Sequence, residues 1–199
     1  MYKRLKMFVH AHKHISKTDD TDNNSVFFRL GTDLVENYYE IEIPKLKYNI
    51  VDAGAKNLSN EDIWKFENEF DIDLNTLRKV KGDRNASGFK LNKIYEQLGI
   101  DVEGTKNSSE EKTTRTYNIR VKGNPDLSNI LTMMYGLRNN DSTDKIGKDI
   151  TVWLNELRAF KFDTDQNGNA AIISADIKLA DLGSLMLNGS YRGYGFGTV

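Results

Sequence analysis

The 199-residue chain contains no cysteine. That removes disulfides, thiolate nucleophiles and cysteine-ligated metal centres together. Proline occurs twice, and each instance falls where the chain must turn: Pro44 closes a strand pattern and Pro125 sits in Gly123-Asn124-Pro125-Asp126. Neither sign of charge dominates: 28 Lys and Arg stand against 29 Asp and Glu, for a net charge of -1. A generic nucleic-acid binder carries a basic excess, so that class of partner is set aside. No apolar run approaches the length of a membrane-spanning helix. The opening MYKRLKMFVHAHKH is basic but alternating, and lacks the continuous apolar centre of a signal peptide. With 38% hydrophobic and 29% charged residues, there is enough apolar material for one substantial core.

The stretch at 27–44, FFRLGTDLVENYYEIEIP, organises the rest. Val26, Phe28 and Leu30 share one face of a strand; Tyr39, Ile41 and Ile43 share one face of the next, with Glu40 and Glu42 on the wet side. Two strands cannot bury an apolar face alone, so others must cover them. Residues 2–11 alternate Leu5, Met7, Val9 and Ala11 against Arg4, Lys6, Phe8 and His10, which reads as a long strand. Ser59 and Asp62 form a capping-box pattern ahead of one helical turn near Trp64. A strand at 69–74 leads to Asp73, which caps a short helix over 74–81 with Leu77 and Val80 inward. Residues 91–98 read as a further short helix stopped by Gly99, and 102–114 as a surface loop. Strands follow at 115–122, with Tyr117, Ile119 and Val121 on one face, and at 130–138, with Leu131, Met133, Tyr135 and Leu137 aligned. Residues 149–160, apolar on both faces, read as a central strand. About seven strands with few helices give a mainly β, antiparallel β-sandwich over residues 1–160. Its expected core includes Leu30, Ile41, Ile119, Leu131, Met133 and Leu154.

After a linker at 161–169, residues 170–199 change character. Ile173, Ala175, Ile177 and Leu179 alternate with Ser174, Asp176 and Lys178; after a turn, Leu185, Leu187 and Tyr191 alternate with Ser184, Asn188, Ser190 and Arg192. Two strands of about ten residues with opposite faces are the hairpin signature of an outer-membrane β-barrel. An amphipathic hairpin lying on a sheet reads the same way.

Three groups of residues invite a chemical reading. Asp163, Asp165, Asn167 and Asn169 place oxygen donors at alternate positions beside Gly168, as in the first half of a calcium loop. Position twelve of that loop is Ser174 rather than glutamate, and an Asp/Asn/Gly linker has the same composition. His10, His12 and His14 alternate on a strand, a spacing seen in zinc sites, but no carboxylate is placed to complete a shell. Among the aromatics Trp64, Trp153, Tyr38 and Tyr39, Trp153 reads as core, and Tyr38 and Trp64 are the ligand-facing candidates for stacking a sugar. Glu40, Glu42, Glu67 and Glu69 offer carboxylates without a pair marked at catalytic spacing. No Ser-His-Asp order, phosphate loop or nucleotide fingerprint is present, and the chain reads as non-enzymatic with no required cofactor.

Several stretches together resemble one family: YKRLKMFVHA, FFRLGTDLVENYYEIEIP, VKGNPDLSNILTMMYGLRN, VWLNELR and LADLGSLMLNGS, in that order along the chain. This set is similar to the SprA/Sov family, the giant outer-membrane translocon of the type IX secretion system of Bacteroidota, which serves gliding motility and protein secretion. The resemblance implies a jelly-roll-like domain interrupting the strands of a very large β-barrel, followed by the first strands that return to that barrel. It implies a place in the outer membrane at the cell surface, with membrane contact through residues 170–192. It implies as partners the remainder of the barrel, secreted cargo proteins and accessory outer-membrane proteins such as PorV. On this reading the chain is a piece of a longer polypeptide. Two departures stand out: Ile63-Trp64-Lys65-Phe66 lacks the Trp-Pro pair usual in the family, and the segments after Gly88 and at 163–169 follow no family pattern. A different class, an autonomous carbohydrate-binding sandwich, remains the alternative.

Overall fold

The computed structural model describes residues 2–13, 23–50, 59–105, 112–140, 150–162, 170–179 and 183–192. The described chain divides into two compact units, Tyr2–Lys161 and Phe162–Val199 with Met1. It is mainly β, with three sheets.

In the first unit, β2 (Asn24–Gly31) and β3 (Tyr38–Ile43) pair antiparallel with Phe28 opposite Ile41. The connection is knotted by one carboxylate: Asp33 Oδ1 accepts the backbone N–H groups of Val35, Glu36 and Asn37, and Asp33 Oδ2 accepts Asn37 Nδ2. These hydrogen bonds hold the Asp33 carboxyl well below the usual carboxylate range. On either side stand β7 (Lys112–Lys122) against β3 and β8 (Thr132–Asn139) against β2. With β6 (Tyr95–Thr105) outside β7, the five-stranded antiparallel order is β6-β7-β3-β2-β8.

The second sheet centres on β1 (Tyr2–Lys13). It pairs antiparallel with β5 (Phe70–Asp73), briefly in parallel with β4 (Asn49–Ile50), and also with β9 (Ile150–Phe162). Met7, Val9 and Ala11 from β1 and Phe70 and Ile72 from β5 enter one core with Val26, Phe28, Leu30, Ile41, Tyr117, Ile119 and Val121 of the five-stranded sheet. Phe70 meets Phe28 edge-on and stacks on Tyr117, so aromatic rings join the two sheets. Each fully buried Leu, Ile or Phe contributes about 1.5–3 kcal/mol.

Among the described residues of this unit are two α-helices and one 3-10 turn, Phe66–Asn68. In α1 (Asn60–Ile63), Ser59 and Asp62 form the expected capping box. In α2 (Leu74–Ala86), Asp73 caps the start by accepting Asn75 N–H. The helix runs one turn beyond its expected end, past Gly82, because Arg84 is buried there and donates to the Gly123 carbonyl at 2.5 Å. Leu74, Leu77, Val80 and Arg84 form its inward face.

Other expectations are corrected. Residues 95–105 are strand, not helix and loop: Gly99 (φ 66°) takes a left-handed conformation inside a bulge of β6, and pairing resumes at Ile100. Val102 is buried and paired with Arg115. The strand β9 is not central. Trp153 and Leu154 are exposed, and Glu156 (φ 56°) and Lys161 (φ 53°) break its regular course. Of the expected core, Leu30, Ile41 and Ile119 are buried, whereas Leu131, Met133 and Leu154 are not.

In the second unit, β10 (Ala170–Leu179) and β11 (Gly183–Arg192) form an antiparallel hairpin in unbroken register from Ala170 opposite Arg192 to Leu179 opposite Gly183. Among the described residues no sheet closes into a barrel.

Candidate interaction surfaces

The outer face of the five-stranded sheet holds a network that alternation alone does not disclose. Glu40 and Glu42 point away from the core, yet are 1% and 2% exposed. Guanidinium groups from three neighbouring strands roof them. Arg29 donates to Glu40 Oε2 at 2.6 Å, and Arg120 to Glu40 Oε1 at 2.8 Å and Glu42 Oε2 at 2.5 Å. Arg138 donates to Glu42 Oε1 at 2.7 Å and Glu40 Oε1 at 2.9 Å. Ser25 Oγ adds a short hydrogen bond to Glu42, and Arg120 also pairs with Glu96. Burial pushes both carboxyls up; the donated hydrogen bonds outweigh it and hold both below their ordinary value of 4.5. The expected wet glutamates are therefore buried, fully engaged anions, with no spare lone pair positioned for acid–base chemistry. Aromatic rings flank the roof. Arg138 lies over Phe27, whose own ring covers Gly136 on the adjacent strand so closely that a Cβ there would collide with it.

Tyr38 belongs to this face. It is 3% exposed, with the Arg29 guanidinium 4.0 Å above its ring, so its face is already occupied and it offers none to a sugar. This corrects its expected exposure.

A second buried ionic cluster lies where β1, β5 and β7 meet. Arg4 pairs with Asp71 at 2.8 Å and reaches the Glu103 carbonyl, Lys6 pairs with Glu69 at 3.0 Å, and Arg115 joins Glu69 and Asp71. A cleft of about 270 Å³ opens beside it, lined by Arg4, Asp71, Glu103, Gly104, Lys112, Phe160 and Lys161.

Histidines and tryptophans meet along β1. His10 is buried, and its Nδ1 lies 2.7 Å from the Ile63 carbonyl. A carbonyl only accepts, so that nitrogen carries the proton. Asn49 Nδ2 donates to the same carbonyl, and His10 Nε2 faces His12 Nδ1 at 3.2 Å. Trp64, half-buried, and Trp153, 54% exposed, sit against His10. Their planes cross His10 at 66° and 41°, so the cluster is not the flat row on which a sugar ring lies. His14 and the calcium candidates Asp163, Asp165, Asn167 and Asn169 lie outside the described residues. Among the described residues no group of three or more His, Asp or Glu could hold a metal.

Among the described residues, large apolar side chains are exposed at several places, Phe89, Leu91, Ile94 and Leu98 among them, and two rows lie along strands. One runs along β8 from the residue just before it, where Leu131, Met133, Tyr135 and Leu137 are 70%, 52%, 36% and 48% exposed. The other is the β10–β11 hairpin. Register places Ile173, Ala175, Ile177, Leu185, Leu187 and Tyr191 on one face and Ser174, Asp176, Lys178, Ser184, Asn188 and Ser190 on the other, together with Ile172 and Met186. Ile173, Leu187 and Tyr191 are each more than half exposed.

A family model described as motility-related or secretion protein, SprA_N, matches residues 1–199, the whole chain. The chain belongs to this family. No curated protein matches it. The family ties the chain to motility and secretion. Neither surface carries a motif that sequence reading alone could have ranked. The hairpin was visible through its alternation. The β8 row was visible too, but nothing in the sequence shows that its covering sheet stops short.

Proposed function

We propose that this chain is a non-catalytic segment of an outer-membrane translocon. It would contribute a jelly-roll-like sandwich, Tyr2–Lys161, followed by a pair of barrel strands. The family match to motility and secretion proteins supports the setting. The observation that carries the finer reading is the hairpin. Its two strands have ten residues each, one face apolar and the other mainly polar, with Ile172 and Met186 among its polar residues. Transmembrane strands need about 9–11 residues at a tilt of about 45°. Lipid on one side and a wet lumen on the other account for both faces, including Asp176 and Lys178 on the polar one. Among the described residues no helix is long and apolar enough to cross a membrane, which has no bearing on strands. The partners that follow are the rest of the barrel, secreted cargo and accessory outer-membrane proteins.

Adjacent residues on β11 supply the test. Leu187 faces the proposed lipid side and Asn188 the proposed lumen. An arginine near the bilayer midplane on the lipid side costs about 2–4 kcal/mol, and one facing the lumen costs little. In the full-length parent protein, Leu187→Arg should lower assembly into the outer membrane and secretion, while Asn188→Arg leaves both near wild type. Equal tolerance of the two substitutions would remove the barrel assignment.

A further inference from the structure

Near its end, β1 brings two imidazoles together. His10 and His12 alternate on the strand, so both side chains leave it on the same face. His10 Nε2 stands 3.2 Å from His12 Nδ1. Two nitrogens bound to one ion at about 2.0–2.1 Å in tetrahedral geometry lie about 3.3 Å apart. The two rings therefore already stand at the spacing that a shared ion requires.

The tautomers suit that role. His10 Nδ1 donates to the Ile63 carbonyl at 2.7 Å, and Asn49 Nδ2 donates to the same oxygen at 2.9 Å. The proton on Nδ1 leaves Nε2 as the lone-pair nitrogen of a neutral ring. A ring N–H given to a backbone carbonyl is the usual support of a metal-ligating histidine, because it fixes both tautomer and ring orientation. Without an ion, His12 Nδ1 donates to His10 Nε2. A neutral imidazole can instead carry its proton on Nε2, and His12 Nδ1 is then a second ligand beside the first.

The surroundings set the class of ion. Among the described residues no third His, Asp or Glu completes a set with the pair. Calcium and magnesium seek several oxygens, whereas imidazole suits zinc, copper and nickel. Trp64 and Trp153 pack against His10 with ring centroids 5.9 and 5.1 Å away, and Trp153 lies 5.9 Å from His12. Trp153 is exposed and His12 half-buried, so among the described residues the pair is reached from the surface.

We propose that His10 Nε2 and His12 Nδ1 form an open two-histidine site for a borderline divalent cation, copper(II) or zinc(II). The ion takes the place of the hydrogen bond between the rings. Two protein ligands leave its other positions to water or to an incoming donor, so the bound ion is exchangeable.

The tryptophans supply the readout, because the chain has only these two and both lie against His10. Titrating the 199-residue chain with copper(II) chloride should quench tryptophan emission at least about twofold, saturating at micromolar concentration. His12→Gln should lose that quenching, with a thermal melt confirming that it folds; His10 is buried, so the partly exposed partner is the deciding variant. Zinc chloride in excess should restore the emission. It should also raise the melting temperature of the wild type and leave that of His12→Gln unchanged. Magnesium chloride should do neither. Quenching retained in full by His12→Gln overturns the proposal. So does quenching lost in His14→Gln but kept in His12→Gln, which would put the ion elsewhere on the chain, and so does unquenched emission at millimolar copper. None of these outcomes bears on the barrel assignment, which Leu187→Arg tests.

Discussion

Glu40 and Glu42 are charged groups removed from water on the outside of a sheet, and three arginines make that arrangement stable. The guanidiniums keep a wet side, at 18–33% side-chain exposure, so each pair contributes less than a fully buried one. Glu40→Gln should destabilise by about 1–3 kcal/mol, read from denaturant unfolding, since it leaves engaged cations short of an anion. The acid dependence has a definite sign. Both folded-state carboxyls lie below the ordinary value of 4.5. Their contribution is complete above about that pH and is lost as pH falls through the folded values. Melting temperature should decline on acidification below about pH 4.5, and less steeply in the Glu40→Gln variant; identical slopes would count against the network. Sequence reading put these glutamates correctly on the outer face. It missed their burial, because the arginines that cover them come from positions 29, 120 and 138, and no local pattern joins those positions.

At the scale of elements, the β2–β3 pair and β7 were legible because strict alternation with one apolar face has few competing readings. The segment at 91–98 was not. Its mixed polar composition suits a helix, and Gly99 suits a helix stop as well as it suits the bulge it occupies. β8 and β9 were legible as strands and misread in burial. Apolar residues report a face that can be buried, and the extent of the opposing sheet decides whether it is. Ile41, fully buried, and Leu131, 70% exposed, separate the two cases. Ile41→Ala should destabilise by about 2–5 kcal/mol, and Leu131→Ala by less than about 0.5 kcal/mol in thermal or urea unfolding. Comparable losses at both would mean that β8 is covered in solution.

Across the whole molecule, the boundary between units falls at Lys161, and the core residues all lie before it. A chain ending at Lys161 should therefore fold cooperatively and remain monomeric. The 199-residue chain should self-associate through the hairpin, because a lone two-stranded hairpin with an apolar face is marginal in water and leaves open edges. Light scattering and limited proteolysis on both chains check this. Unfolding of the shorter chain would assign the hairpin to the sandwich. The change of character after residue 160 reflects the two alternating ten-residue strands that follow it. The calcium pattern at Asp163, Asp165, Asn167 and Asn169 falls in the connecting stretch, outside the described residues.

The Asp33 knot also bears on the order of events in time. It closes β2 against β3 over residues 32–37, whereas β3 meets β7 some eighty positions further on, with Glu40 opposite Arg120. Closure entropy rises by about 0.6 kcal/mol for each doubling of loop length, so the short hairpin is the least costly contact to form first. β7 then docks onto a surface that already exists. In stopped-flow experiments, Asp33→Ala should mainly slow folding, and Val121→Ala should mainly hasten unfolding. The reverse partition would place the nucleus between β3 and β7.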